Sequence, residues 1–292
     1  RPRHQSPSRA TTPKHRRYAD DRQCRTRPGE PAVSIVAIAL LGLGSADAAR
    51  AIGAGRWRDR RRAVIVSSLV GVSVIAVLAV LAGLSTPADG LLLLLAGVIV
   101  AGWVLTSQEE FVRARRAAIP LSILGGGLAL LVLTSGAASP GGGAVAGWLR
   151  WTGLFANQSV VDADRVLLVA VLLLIQVGTA NVIVRLVLVQ VGAIRPSNVP
   201  QPSDRLRGGR LLGPMERLII LGLGLAGEVT AATLVIAAKG LIRFPELQHS
   251  RTADSETDKE ALEVYELTEY FLVGSMVSWL IALTALGVAV LA

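Results

Sequence analysis

Long uncharged runs recur along the chain, and short arginine-bearing segments separate them. In order they are Ala32–Ala49 (apolar until Asp47), Ala63–Leu84, Gly90–Thr106, Ala117–Ser135, a run from Val166 to near Ala193, Arg217–Lys239 and Tyr270–Ala292. Their apolar positions are continuous, without the alternation that marks the strands of a membrane barrel. At ~1.5 Å of rise per residue, such runs reach across a hydrocarbon core ~30 Å thick. Lipid offers nothing to unpaired backbone groups, so each run must satisfy itself as a helix. The pattern predicts an all-α protein, a polytopic transmembrane helical bundle of about seven spans. The fifth run is too long for an upright span and must tilt or emerge. The stretch Ala144–Phe155, with Trp148, Arg150 and Trp151, is too short to cross and reads as an interfacial elbow.

Orientation follows the Lys/Arg bias of the short connections. Arg50–Arg62 carries six arginines and is expected inside. Residues 85–89 carry none and face out, 107–116 face in, 136–165 face out, and 194–216, with Arg195, Arg205, Arg207 and Arg210, face in. Alternation then places 240–269 outside, although that stretch mixes eight carboxylates with Arg243, Arg251 and Lys259.

Composition agrees with a membrane protein. Of 292 residues, 52% are hydrophobic and 17% charged, against about a quarter charged in an average soluble domain. Cys24 is the single cysteine, which excludes a disulfide scaffold. The net charge of +9 is concentrated at the start, where residues 1–30 hold nine Lys+Arg and three acids. That basic, Arg/Pro/Ser-rich stretch predicts a disordered tail, 1–31, before a transmembrane domain, 32–292. Such a tail could attract nucleic acid or anionic lipid. The 27 arginines against three lysines point instead to translated GC-rich sequence. The expected natural start is therefore near Val33, with no nucleic-acid partner. A signal peptide ending near Ala46-Asp47-Ala48 is the alternative that the basic region and apolar run permit.

Most motifs lose their meaning in context. Gly222-Leu223-Gly224-Leu225-Ala226-Gly227 has the G-x-G-x-x-G spacing of a dinucleotide loop, but it lies inside an apolar span and no βαβ pattern follows. Its expected role is packing, with Gly222/Ala226 and Gly227/Ala231 as small-xxx-small pairs. His4, His15 and His249 are scattered, so neither a metal site nor a cofactor is expected. The acids Asp254, Glu256, Asp258 and Glu260 lack the glycine and spacing of a calcium loop. No serine in a span has a histidine to serve as base, so no catalytic residue is expected.

The informative residues are Glu228, Arg185, Asn181 and Gln176, polar groups inside the fifth and sixth runs. Such groups are costly in lipid and face the bundle interior. Helical rise puts Glu228 ~16 Å, Arg185 ~12 Å and Asn181 ~18 Å from the same membrane face. The expectation is a clamp of Glu228 by Arg185 and Asn181, either fixing helix register or relaying a proton or cation. A second cluster, Lys239 and Arg243 with Glu266 and Glu269, is expected to staple the outer end of the last helix pair. Its sharper alternative is an external ligand or partner site.

Gly213-Pro214-Met215-Glu216-Arg217-Leu218-Ile219-Ile220, Ala237-Ala238-Lys239-Gly240-Leu241-Ile242-Arg243-Phe244 and Glu269-Tyr270-Phe271-Leu272-Val273-Gly274-Ser275 together resemble the C-terminal helix pair of an uncharacterised bacterial multi-spanning membrane-protein family. The resemblance covers about a quarter of the chain and implies an architecture without an activity. The family carries Gln where Glu228 stands. An amide cannot carry the proton, which argues against an obligatory Glu-based relay.

The sequence favours a non-catalytic scaffold or partner-binding protein of a bacterial inner (plasma) membrane. The lipid bilayer surrounds it, and a second copy or another membrane protein would dock on its glycine faces. The alternative is a small-solute or ion permease component using the Glu228/Arg185/Asn181/Gln176 patch. An intramembrane enzyme ranks third, because no residues volunteer for the chemistry.

Overall fold

The computed structural model describes residues 33–53, 59–108, 117–139, 163–193, 209–252 and 258–291, with the side chains of 242–268 outside the description. The expected tail and the Ala144–Phe155 elbow lie outside the described residues. All described residues belong to one compact unit, Pro31–Ala292. Among them are nine α-helices and no strand: α1 (Val33–Gly53), α2 (Arg60–Leu81), α3 (Pro87–Thr106), α4 (Ala118–Thr134), α5 (Ala163–Val177), α6 (Thr179–Gln190), α7 (Gly209–Leu225), α8 (Val229–Thr252) and α9 (Asp258–Leu291). Five of these are long and apolar enough to cross a membrane, and α5–α6, bent by 48°, makes a sixth span if counted as one. The protein is an all-α bundle with the character of a membrane protein. Its outward faces are aliphatic, as at Leu69, Val80, Leu94 and Leu133.

Helix ends follow local chemistry. Asp59 caps α2 by accepting from the Arg61 N–H at 3.0 Å. At the other end Gly83 takes φ 72°, while Gly83 N–H reaches Val80 O and Leu84 N–H reaches Ala79 O. This paired closure satisfies carbonyls that the last helical turn leaves open. Next, Thr86 and Asp89 form a reciprocal capping box with Pro87 in the first turn, so α3 starts three residues before the apolar run at Gly90. Asp89 Oδ1 also accepts the Ser139 N–H at 2.8 Å, tying the end of the α4 hairpin to the start of α3.

The first helix is the packing centre. Its spanning window is 61% buried, against 22% for α2, α4 and α9. Ile35, Ile38, Leu43 and Ala46 join Ile75, Ile99, Val100 and Trp103 in one apolar core, while Ala37 and Leu40 join Leu168, Val171, Leu172 and Leu221 in a second. Close approach of α1 and α2 rests on Gly42 and Gly71. A Cβ on Gly71 would stand 2.8 Å from the Gly42 carbonyl oxygen and 3.0 Å from the Ala46 Cβ. Backbone cannot yield as a side-chain tip can. Gly71→Ala should therefore cost about 1–3 kcal/mol, read as a shift in reversible unfolding. Gly90→Ala, where nothing lies within 4 Å, is the matched control for packing.

The sixth predicted span is corrected. It is not one helix over 217–239 but two helices that reverse at Ala226–Glu228. Gly227 adopts φ 83°, and the Gly227 and Glu228 N–H groups close onto Gly224 O and Leu223 O. An L side chain is strained in that left-handed conformation, so glycine allows the stop. α7 and α8 then run antiparallel, as the ion pair between Lys239 Nζ and Glu216 Oε2 at 2.5 Å requires. The chain after α8 thus returns to the side from which α7 began. Lys239, near the expected outer connection, therefore lies on the same side as Glu216, not on the opposite one. The glycines of the two expected packing pairs, Gly222 and Gly227, meet nothing within 4 Å, whereas Gly224, outside those pairs, sits directly against Leu286 of α9.

Candidate functional site

The fifth span is broken where Gly178 separates α5 from α6. Gly178 lies at φ −101°, ψ −83°, outside helical geometry. Its N–H bonds Leu174 O at 3.4 Å, and the Asn181 N–H falls back on Gly178 O at 3.0 Å. The regular partners of the Gln176 and Val177 carbonyls are therefore lost, inside a span where no water waits to replace them. Side chains replace them. Asn181 Nδ2 donates to Val177 O at 3.0 Å. Arg217 of α7 donates from Nε and Nη2 to Gln176 O at 3.1 and 2.8 Å. The same guanidinium donates from Nη1 to Ser278 Oγ of α9 at 2.9 Å and from Nη2 to Asn181 Oδ1. Arg217 is 2% exposed, so α7 delivers a fully desolvated cation to the carbonyl end of α5.

The opposite face of the break meets α1. Gly178 packs beside Asp47 and the Gly44 carbonyl, both 4.0 Å from where its Cβ would stand. Thr179, the first residue of α6, lies beside the Asp47 carboxylate. Asp47 is 4% exposed. It accepts from Trp103 Nε1 of α3 at 3.2 and 3.1 Å and pairs with Arg50, whose Nη1 donates to Ser107 Oγ at 2.7 Å. The helix dipole gives this placement its sense. A negative charge stands near the N-terminus of α6 and a positive charge at the C-terminus of α5. Each half-helix end thus faces a buried charge of opposite sign, supplied by a different helix. The Lys239–Glu216 pair lies next along α7, and the Lys239 ammonium stands 5.4 Å from the Phe271 ring centroid, close enough for a cation–π contact.

Hydrogen bonding at the break is incomplete. The Gln176 and Thr179 side chains are both 0% exposed. Neither amide atom of Gln176 has a partner among the described residues. A buried polar group left so costs about 1–3 kcal/mol and calls for a guest, commonly water or an ion. The first N–H groups of α6 also precede any intrahelical acceptor.

The residues named from sequence are distributed as follows. Gln176 and Asn181 both belong to the break and both hold Arg217. Arg185 is exposed farther along α6. Glu228 is exposed at the α7–α8 reversal, where its carbonyl accepts the Ala232 N–H. The expected clamp of Glu228 by Arg185 and Asn181 is thus replaced: the group that Asn181 grips is Arg217, because the helix stop at Gly227 puts Glu228 at a hairpin tip. In the second cluster, Lys239 pairs with Glu216, and Glu269 is exposed. The side chains of Arg243 and Glu266 lie outside the described residues. Sequence reading passed over Asp47, Arg50, Trp103, Ser107, Arg217 and Ser278. One signal was available in Gly178-Thr179-Ala180-Asn181, a helix-start composition in the middle of an over-long apolar run. Against this geometry, comparison of the chain with protein-family models, curated proteins and solved structures returned no match.

Proposed function

We propose that the chain is a small-solute or ion permease component of a bacterial inner membrane, and that it works at the α5–α6 break. One observation carries the reading: a span interrupted deep in the bundle, with buried opposite charges from α1 and α7 at its two half-helix ends. Irregular backbone at membrane depth is tolerated where it is enclosed by protein or lines a pathway, and broken helices of this kind supply solute and ion sites in transporters. The unpartnered, completely buried Gln176 amide favours a pathway over a rigid prop. A scaffold needs neither the break nor the unspent hydrogen-bonding capacity.

Purified chain in liposomes should show solute-dependent current or flux with at least one member of a panel of small anions, cations, amino acids and sugars. Asp47→Asn removes the charge at the α6 end while keeping the shape of the side chain. It should lower that flux about tenfold, the equivalent of ~1.4 kcal/mol. Glu228→Gln, at the exposed hairpin tip, should leave it within about twofold. A folded wild-type chain that moves none of the panel would remove the permease reading and leave the scaffold.

A further inference from the structure

We propose that the break is an anion-binding site seated on Arg217, which names the class of solute for the permease reading on which it rests. The argument begins with charge. Among the groups meeting here, Asp47 is paired with Arg50 and Glu216 with Lys239. Arg217 is held by neutral acceptors alone: a carbonyl, an amide oxygen and a hydroxyl. The carboxylate of the adjacent Glu216 acts on it, but that group is paired with Lys239, so among the described residues gathered here the cations exceed the acids by one.

Donors are available for the ion. A guanidinium has five N–H groups, and four are spent on Gln176, Asn181 and Ser278. The remaining one is on Nη1. Ser278 accepts from Arg217 through its oxygen, which leaves its own hydroxyl hydrogen to donate. Gln176 seats Arg217 through its backbone carbonyl and keeps its side-chain amide unspent. That amide is completely buried, and its Nε2 donates to nothing. A small anion, inorganic or the carboxylate of an organic solute, would take up these donors and balance Arg217.

The test is thermal unfolding of the full chain in lipid nanodiscs at constant ionic strength. Gluconate is replaced stepwise by chloride, acetate or inorganic phosphate. At least one of the three should raise Tm saturably. Gln176→Leu removes the amide and leaves the carbonyl seat of Arg217 intact, so it should weaken the apparent affinity about tenfold. Arg217→Lys keeps a cation without the fork and should weaken it too, whereas Arg61→Gln, on an exposed arginine, should not. Absence of any saturable rise in the wild type, or an equal rise in Gln176→Leu and Arg217→Lys, overturns the proposal. Stabilisation by anions without flux would retain the site and remove the permease reading. Flux of cations or neutral solutes without anion stabilisation would do the reverse.

Discussion

Asp47→Leu should destabilise the bundle by about 3 kcal/mol, because it strands charge as well as shape. The carboxylate accepts both contacts from the Trp103 indole and pairs with Arg50. Without it, a fully buried indole N–H loses its acceptor, and among the described residues the Arg50 guanidinium keeps only the Ser107 hydroxyl at 2.7 Å. The Arg50 side chain is 19% exposed, so part of its charge can turn toward the bundle edge, which holds the loss below the upper end for a buried pair. The double change Asp47→Leu, Arg50→Leu should recover much of the stability, since it removes both charges together. Unfolding in mixed micelles, followed by tryptophan fluorescence, measures both. Equal losses in the single and double variants would show that packing alone sets the effect.

Arg217→Met should cost about 2–4 kcal/mol by a different route. Methionine has the length to fill the channel between α5, α7 and α9, and the change removes a desolvated cation, which is a gain. The loss comes from acceptors left behind. The Gln176 carbonyl loses both of its donors, and Asn181 Oδ1 and Ser278 Oγ lose one each. In lipid none can turn to water. Arg217→Lys should fall between Met and wild type, because one ammonium cannot hold the carbonyl in a fork. The same micelle titration reports it. Hydrogen exchange at Ala180 and Asn181 should also rise in Arg217→Met, since the start of α6 is where the restraint is lost.

The helical character of the bundle was legible because continuous apolar runs have no other solution in lipid. The run Ala117–Ser135 fits α4 within a residue at each end. Reversals were less legible. Gly224 and Gly227 belong to one glycine-rich stretch, yet the first permits contact with Leu286 and the second permits a left-handed turn. Composition cannot separate those roles. Only the backbone angle does, and it depends on α8 folding back. Arg217 and Asp47 were treated as edges because a charge ordinarily marks where a span ends. Each instead lies inside the bundle, since a partner from another helix removes the cost. Capping signals were legible in principle: Thr86-Pro87-Ala88-Asp89 contains the whole α3 box, although the apolar run alone starts at Gly90.

The tight reversal at Gly227 has a consequence for biogenesis. The apolar stretch of α7 after Arg217 is eight residues, Leu218–Leu225, well short of the ~20 that hold a helix in a bilayer. Emerging alone from a translocation channel, it would carry the Arg217 charge, disfavoured by roughly 2.5–3.5 kcal/mol at mid-membrane, and Glu216 without its Lys239 partner. Lys239 arrives only with α8. The two helices should therefore partition as a pair, held at the channel until the second has been synthesised, and the glycine turn sets how soon that companion can follow.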